Sequence, residues 1–560
     1  MTGGSKRWLF GPVPDLLLGC GLGYVALFVV LSLAVTPSNG ALYLAVVPLI
    51  SILTGTPHYG ATLLRVYEQR SERRAYGFFA FPATAVVWTV FYISLYQPFV
   101  GSLLLTLYLS WSPWHYSGQN YGIALMFLRR AGVEVTPAVE RALYLGILLS
   151  FLLTLLSTQG SSQAGAYAPV QPYQGGVFQL LRIGIPSPIY GLAFVGTALA
   201  CVGSLAFAGA ALLRRATLRE LGPAAALVFT QLLWFVLPAV ARHWGGPLER
   251  LFAGDRMAAA FFWIATGHSI QYLWITTYFA AKDRPLHGRL RYHAKTLAAG
   301  SFVWGVPALL YSAGLEGSRL GGVALGQDVF VVLAAAVNIH HFILDGAIWK
   351  LRDGRVARIL IRREAQPESA QPASPRQRWF AGAVYAAGGL ATLGVLFSLA
   401  VRQLAFEPAL RRGDLGAAQR SLRHLDAFGY ESAEDYRRVG QLAATVDAML
   451  PAQRSLEHSL RLQPQPATYL ALARVVHQRQ GLESALPIYV AAVARYPDDV
   501  NLMNQLALAH LRLDEPEHAV PILERLVRIV PKDEAVRASL ERARKRSATS
   551  ASGAPTAQGR

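Results

Sequence analysis

The stretch PIYGLAFVGTALACVGSLAFAGAALL, residues 188–213, runs through several helical turns without a single charged side chain. A helix needs about 20 predominantly apolar residues to cross a bilayer, so this run is typical of a membrane-spanning helix. Similar runs recur through residues 1–403. We therefore predict that this part of the chain is a polytopic bundle of transmembrane helices.

The composition of the whole chain agrees with this interpretation. The chain has 560 residues, of which 53% are apolar and 15% charged, and this is more apolar than a soluble protein of that length. The formal net charge is +19, but the basic residues cluster in short loops between apolar runs, where they orient helices. We expect no nucleic-acid partner. Cys20 and Cys201 lie in separate predicted spans, so we expect neither a disulfide nor a thiolate metal site.

The apolar runs predict about eleven spans. Their approximate bounds are 13–36, 41–64, 77–97, 99–128, 139–158, 188–213, 222–241, 257–280, 297–313, 326–349 and 379–402. Every second connection is basic, and the positive-inside rule then places these loops and the N-terminus in the cytoplasm. With an odd number of spans, the C-terminal domain is predicted to lie on the opposite side of a bacterial-type inner membrane from the N-terminus, in the periplasm. An even number of spans would place it in the cytoplasm.

The polar C-terminal part of the chain contains an internal repeat. A set of four residues recurs 34 positions later, with Ala485, Tyr489, Ala492 and Pro497 matched by Ala519, Leu523, Leu526 and Pro531. This pattern resembles the tetratricopeptide repeat, in which a small residue lets two helices pack closely and a proline ends the unit. The resemblance implies that residues 404–545 form a helical repeat domain that binds a protein or peptide. The alternative is that the domain packs only on its own membrane domain. Residues 546–560 are predicted to be a disordered tail, and the fold class is all-α.

Histidines inside the predicted spans are the main functional signal. They are His58, His115, His268, His340 and His341. Ionisable side chains in hydrocarbon are costly and usually mark a functional site. Counted from the basic residue that ends each helix, their depths agree to within about 10 Å, at a rise of about 1.5 Å per residue. We predict that all five serve as ligands of one metal centre.

Polar neighbours extend this predicted site. Asp345 lies four residues after the second histidine of the HH pair and therefore shares its helix face. We predict that Asp345 and His340 are catalytic, with His340 as a fifth ligand or a general base. Gln119 lies on the same helix face as the histidine of SPWHYSGQNYG, and Gln271 and Tyr272 follow the histidine of TGHSIQYLW. These three residues are expected to orient ligands, bound water or a cofactor.

The donor types favour a particular metal chemistry. Imidazole and carboxylate without thiolate suit iron, zinc, copper or manganese, and a histidine-rich shell with open positions suits iron and oxygen. Isolated histidines on several helices of a membrane bundle resemble the bacterial membrane dioxygenases that cleave β-carotene. They resemble more loosely the membrane desaturases and hydroxylases with histidine-bound iron, although the HxxxH and HxxHH boxes of those enzymes are missing. The resemblance implies a non-haem iron oxygenase acting on a lipid or isoprenoid that enters from the bilayer.

Other classes of protein remain open at this point. Paired histidines also bind haem in electron-transfer proteins. In a noncatalytic transport or assembly scaffold the histidines would form a proton relay and the repeats would recruit a partner. Extracytoplasmic glycosyltransferases combine a membrane domain with repeats, but they need an acidic residue in the first external loop, which here is TPSNG at residues 36–40. Whether the chain is an enzyme, such as a metal-dependent membrane oxidoreductase, is therefore left open.

Overall fold

The structure is a computed structural model that describes most of the chain. The described residues are 7–26, 49–68, 76–160, 178, 180–181, 184–245, 255–283, 289–314, 319–320, 323–324, 328–349, 356, 358–362, 374–427, 432–531 and 533–552. Contacts between Cα atoms divide the chain into two compact units. The first comprises Met1–Gly314 and Leu320–Leu396, and the second comprises Leu315–Arg319 and Phe397–Arg560.

The first unit is built from helices. They are α1 (Thr56–Tyr67), α2 (Thr84–Ser94), α3 (Pro98–Arg130), α4 (Pro137–Gly160), α5 (Ser187–Leu213), α6 (Leu218–Gln231), α7 (Leu237–Trp244), α8 (Asp255–Asp283), α9 (Arg289–Gly314), α10 (Asp328–Ile348) and α11 (Pro375–Val401). A single helical turn spans Pro12–Pro14, and π-helical segments span Asp15–Gly19, Ser51–Gly55, Phe79–Ala83, Leu232–Val236 and Arg358–Arg362. Two strands of two residues each, β1 (Arg319–Leu320) and β2 (Val323–Ala324), are the described exceptions to the helical fold.

The prediction of eleven spans is not supported. Within the described residues, the helices long and apolar enough to cross a membrane number five: Pro137–Gly160, Pro188–Leu213, Leu218–Trp244, Val331–Ile348 and Pro375–Arg412. Helices α3 and α8 are long but carry polar residues near their middle, in SPWHYSGQN and TGHSIQ. The predicted span 77–97 corresponds to the shorter apolar helix Phe79–Ser94. Residues 27–48, on which two predicted spans depend, lie outside the described residues.

Glycines bring α1 and α9 into backbone contact. A Cβ atom placed on Gly60 would lie 1.7 Å from the carbonyl oxygen of Thr296, and one on Gly300 would lie 1.9 Å from that of Thr56. The absence of side chains at these two positions therefore permits the helices to cross closely, as small residues do in membrane bundles. The contact residues on α1 lie two residues before and two residues after His58, so the crossing helps to fix the position of that histidine.

The second unit is an array of helix pairs. Its helices are α12 (Glu407–Arg412), α13 (Leu415–Ala427), α14 (Ala433–Thr445), α15 (Met449–Leu462), α16 (Pro466–Gln480), α17 (Leu482–Arg495), α18 (Val500–Arg512), α19 (Pro516–Ile529) and α20 (Glu534–Ser552), preceded by the π-helical segment Arg402–Phe406. In each pair, one residue in the turn between the two helices has a positive φ. These residues are Gly413, Asp447, Gly481 and Asp514. Successive turns are thus 34, 34 and 33 residues apart.

The buried positions repeat with the same period. The second helix of each pair contains a fully buried alanine, at Ala418, Ala452, Ala485 and Ala519. An alanine at these positions lets the paired helices approach closely, because it carries only a methyl group. The predicted helical repeat is confirmed. The sequence pattern shows two repeats clearly, and the structure adds two more before residue 464. Helix α20 continues to Ser552, past the start of the predicted disordered tail.

A buried ion pair joins the first two repeat units. The Arg402 guanidinium donates two hydrogen bonds to the carboxylate of Asp435, which is only 1% exposed. Burial raises the pKa of the Asp435 carboxyl, and the neighbouring Arg402 and Arg438 guanidinium groups oppose that rise. The pair therefore links the first turns of the array to α14.

Candidate metal centre

Histidines from four helices meet inside the first unit. They are His58 on α1, His115 on α3, His268 on α8 and His341 on α10, and each is at most 9% exposed. The ring centroid of His58 lies 4.2 Å from that of His341 and 4.8 Å from that of His268. The ring of His115 lies 4.9 Å from His268 and 5.2 Å from His341. Side chains far apart in the sequence thus share one buried spot.

The nitrogen atoms of these rings are spaced for metal binding. The ligand atoms of His58, His268 and His341 lie within 4.8 Å of one another, and so do those of His115, His341 and Asp345. Metal bonds of about 2.0–2.2 Å place two ligand atoms about 3–4 Å apart. A small inward movement of the side chains would therefore suffice to hold an ion.

Several of the ring nitrogens have no hydrogen-bond partner among the described residues. They are both nitrogens of His58, both nitrogens of His268, and Nε2 of His115 and His341. A buried polar atom left without a partner costs about 1–3 kcal/mol, so a cluster of such atoms destabilises the fold considerably. A neutral imidazole has one nitrogen with a free lone pair, so a metal ion would bind one nitrogen of each of the four histidines and remove that part of the penalty. The donor set therefore fits a bound transition metal.

The orientation of His341 is fixed by Thr62. The Thr62 hydroxyl lies 3.0 Å from Nδ1 of His341 and 3.2 Å from Oδ1 of Asp345. The Thr62 hydroxyl also lies 2.6 Å from the Tyr272 hydroxyl, whose own proton is donated to Asp345. Because the Thr62 proton is donated to Tyr272 or Asp345, Nδ1–H of His341 donates to the Thr62 oxygen. This tautomer leaves the Nε2 lone pair of His341 directed away from Thr62 and available to a metal, an arrangement typical of histidine ligands.

The contact between Thr62 and His341 also limits how many metal ions His341 can bind. His341 belongs to both groups of candidate ligands, but its Nδ1 is engaged by Thr62. With only Nε2 available, His341 can ligate one ion at a time. The two groups therefore describe one centre rather than two.

Asp345 stands at the edge of this centre in a dense network. Its Oδ2 lies 3.8 Å from Nε2 of His115 and 3.9 Å from Nε2 of His341. The Tyr272 hydroxyl donates to Oδ1 of Asp345, and the indole N–H of Trp349 donates to the Tyr272 oxygen at 2.9 Å. One carboxylate oxygen is thus held by neighbours while the other faces the histidines. Tyr272, predicted to bind a cofactor, contacts Asp345.

The predicted residues Gln119 and Gln271 lie beside the histidines in an amide network. The side-chain N–H₂ of Gln119 donates to the amide oxygen of Gln271. Gln271 in turn donates to the carbonyl oxygen of Gly19 at 2.8 Å and to Asn120 at 3.1 Å. Asn120 continues the chain to Gln231 at 2.8 Å. The network holds α3, α6 and α8 together behind the histidines.

His340 is placed apart from the other four histidines. Its Nε2 lies 2.8 Å from the Thr84 hydroxyl, and its ring faces Trp88 with centroids 6.5 Å apart. It belongs to neither group of candidate ligands among the described residues. Neighbouring residues on a helix differ in direction by about 100°, so the helix turns His340 toward α2 while His341 faces the centre.

Sequence reasoning did not assign two residues to the network that supports the ligands. Thr62 is four residues after His58, and Trp349 is four residues after Asp345. Each therefore shares a helix face with a predicted site residue, and that spacing was the available signal. The contacts that they make cross to other helices, and no spacing within one helix predicts them.

A cleft opens beside the centre. It has a volume of ≈ 170 Å³ and reaches His115, Tyr272 and Asp345. Its walls come mainly from α3, α8 and α10. The centre is therefore enclosed by helices on most sides and accessible from the cleft.

Comparison with known proteins gives little similarity. No family model matches the chain, and no curated protein matches it either. A similar solved structure is described as the crystal structure of APC/C hetero-tetramer Cut9-Hcn1. The match has 14% sequence identity and a TM-score of 0.22, and it covers 82% of this chain and 96% of the other.

The helix pairs of the second unit correct the predicted function. They form a repeat array of the kind that is typical of protein-interaction scaffolds. The prediction of a non-haem iron oxygenase, hydroxylase or desaturase acting on a lipid or isoprenoid is wrong, and nothing supports the resemblance to β-carotene dioxygenases. The scaffold alternative agrees better with the helix pairs of the second unit.

Proposed function

We propose that the protein is a membrane-anchored scaffold. Its first unit holds one transition-metal ion among buried histidines, and its helical repeats recruit a protein partner. The observation that carries the metal part is the set of buried ring nitrogens of His58, His115, His268 and His341 that have no hydrogen-bond partner in the described part of the chain. The ion would fasten α1, α3, α8 and α10 to one another, because each helix supplies one of these ligands.

The donor set favours an ion over haem. Four imidazoles and one carboxylate suit first-row metals such as iron, zinc or manganese, and iron is the metal that the sequence predicts. The ring centroids of His58, His115 and His268 lie within 4.9 Å of a neighbouring histidine ring. Rings this close leave no flat slot for a porphyrin between them.

The metal part is tested by two adjacent substitutions. His341→Ala removes a ligand that belongs to both donor groups, whereas His340→Ala removes an equally buried imidazole that bonds to Thr84. We expect elemental analysis of the purified full chain to find stoichiometric metal in the wild type and in His340→Ala. Metal should be lost from His341→Ala.

Two results would count against this assignment. Equal loss of metal from both variants would show that the effect reflects damage to α10. Equal retention would show that His341 is not a ligand. Helical content by circular dichroism, measured on the same samples, identifies any variant that has failed to fold.

A recess on the second unit is suited to part of a partner. It lies on α14 and α15 and is lined by Tyr436, Arg454, Ser455, Glu457, His458 and Arg461. The imidazole of His458 packs against Tyr436 in a tilted arrangement, with ring centroids 4.1 Å apart. The two guanidinium groups outnumber the single carboxylate of Glu457. This lining fits a partner carboxylate, because Arg donates paired hydrogen bonds to it.

The partner part is tested with a matched pair of charge reversals. Arg461 lies two residues after the buried Ser459. In the last repeat the position that corresponds to Ser459 is Leu526, and Arg528 lies two residues after it. The two arginines therefore occupy equivalent positions in their repeats. We expect Arg461→Glu to abolish a specific cross-linked species formed by the full chain in native membranes. Arg528→Glu makes the same change of net charge and should leave that species in place. If both variants cross-link like the wild type, the recess does not bind the partner.

A further inference from the structure

The cleft beside the histidines has walls of glycine. Gly118 and Gly122 on α3 and Gly346 on α10 line it, and a Cβ atom built on any of them would meet nothing within 4 Å. Gly118 and Gly122 follow His115 by one and two helical turns, so they continue the helix face on which that histidine lies. The cleft is open along this face because side chains are missing there.

Aromatic side chains also line the cleft. Trp114, Phe342 and Trp349 line it, and Phe342 stacks on the ring of His115 with centroids 4.4 Å apart. Aromatic faces bind flat apolar groups by stacking and by excluding water. The lining therefore fits a flat, largely apolar molecule.

A few polar side chains also line the cleft. His115 is buried, and its Nε2 has no hydrogen-bond partner among the described residues. Asp345 and Gln119 line the cleft as well. An apolar cleft with a few polar groups is the usual form of a small-molecule site.

We propose that the cleft binds a flat apolar molecule that carries one nitrogen or oxygen donor. The apolar body lies between the glycine face of α3 and the aromatic residues, and the donor reaches the metal on the side of His115 and Asp345. This inference rests on the proposed metal centre. It adds a ligand class and an access route that the scaffold function does not require.

The test uses 4-phenylimidazole as the probe, with imidazole as the probe without an apolar body. Gly122→Leu fills the cleft two turns from His115 and removes no candidate ligand. Gly196→Leu makes the same change on α5, at another glycine where a Cβ would meet open space. Binding is followed by the change in the visible spectrum of cobalt-substituted full-length protein.

We expect Gly122→Leu to weaken binding of 4-phenylimidazole about tenfold or more, because a bulky side chain would occupy its space. Imidazole binding and metal content should stay at wild-type levels, and Gly196→Leu should bind both probes normally. Stoichiometric metal with unchanged 4-phenylimidazole binding in Gly122→Leu would overturn the cleft proposal alone. A wild-type protein that takes up no metal would overturn both the cleft and the metal centre.

Discussion

At the scale of single residues, the site depends on how each imidazole is held. His341 is oriented by Thr62, and Asp345 is oriented by Thr62 and Tyr272. These contacts fix the tautomer of one ligand and the direction of the carboxylate. The histidine ligands and the residues that orient them therefore act together. The orienting residues set the affinity of the histidines for the metal.

Thr62→Val tests whether the orienting residues set the metal affinity. Valine has nearly the shape of threonine but cannot bond to His341 or Asp345, so we expect metal affinity to fall about 10- to 100-fold with the fold retained. The measurement is competition for the metal by a chelator of known affinity. Thr392→Val is the control, since Thr392 is also buried and hydrogen-bonded, to Ser301 at 2.7 Å. Equal affinity in the two variants would show that Thr62 does not support the ligand.

The convergence of the histidines was predictable, but their individual roles were not. Equal depth along the helices indicated that His58, His115, His268 and His341 lie near one another. Depth alone does not give the direction of a side chain around its helix, and His340 was for that reason grouped with the ligands. Its contact with Thr84 depends on the packing of α2 against α10, which no sequence period encodes.

At the scale of helices, close crossings position the ligands. Gly60 on α1 lies two residues after His58, and its Cα faces the backbone of α9 at Thr296. The crossing therefore determines where the ring of His58 lies. Any side chain at Gly60 would push α1 away from α9.

Gly60→Ala should disturb both the fold and the site. The added methyl would meet a backbone oxygen that cannot move aside, so we expect a loss of about 1–3 kcal/mol in stability. Thermal unfolding should show a lower midpoint, and metal content should fall with it. Gly55→Ala is the control on the adjoining segment, where a Cβ would meet nothing within 4 Å. A Gly60→Ala protein with the wild-type midpoint would contradict the close crossing.

The helix pairs of the second unit allow a separate prediction. Asp514 has φ = 59° at a turn where the preceding repeat has Gly481. A left-handed backbone strains residues with a Cβ, and glycine avoids that strain. We expect Asp514→Gly to stabilise α18 and α19 by about 1 kcal/mol, seen as slower hydrogen exchange in the full chain. Asp514→Ala should exchange no more slowly than the wild type, and slower exchange in that variant would refute the strain argument.

At the scale of the whole molecule, the sequence indicated two kinds of helical structure, and the structure has both. The repeat was recognisable because buried alanines return at a fixed interval. The count of eleven spans is not supported within the described residues, because long helices such as α3 and α8 mix apolar turns with the polar residues of the site. The predicted inner-membrane location with periplasmic repeats stays a prediction, since it depends on that count.

The metal centre connects these scales, because it is made by four helices that the sequence separates widely. Its central test is the metal content and X-ray absorption spectrum of the purified wild-type chain after growth with abundant metals. We predict one ion per chain, surrounded mainly by nitrogen neighbours at about 2.0–2.2 Å. A chain that binds no transition metal, or whose ion has mainly sulfur neighbours, would contradict the account.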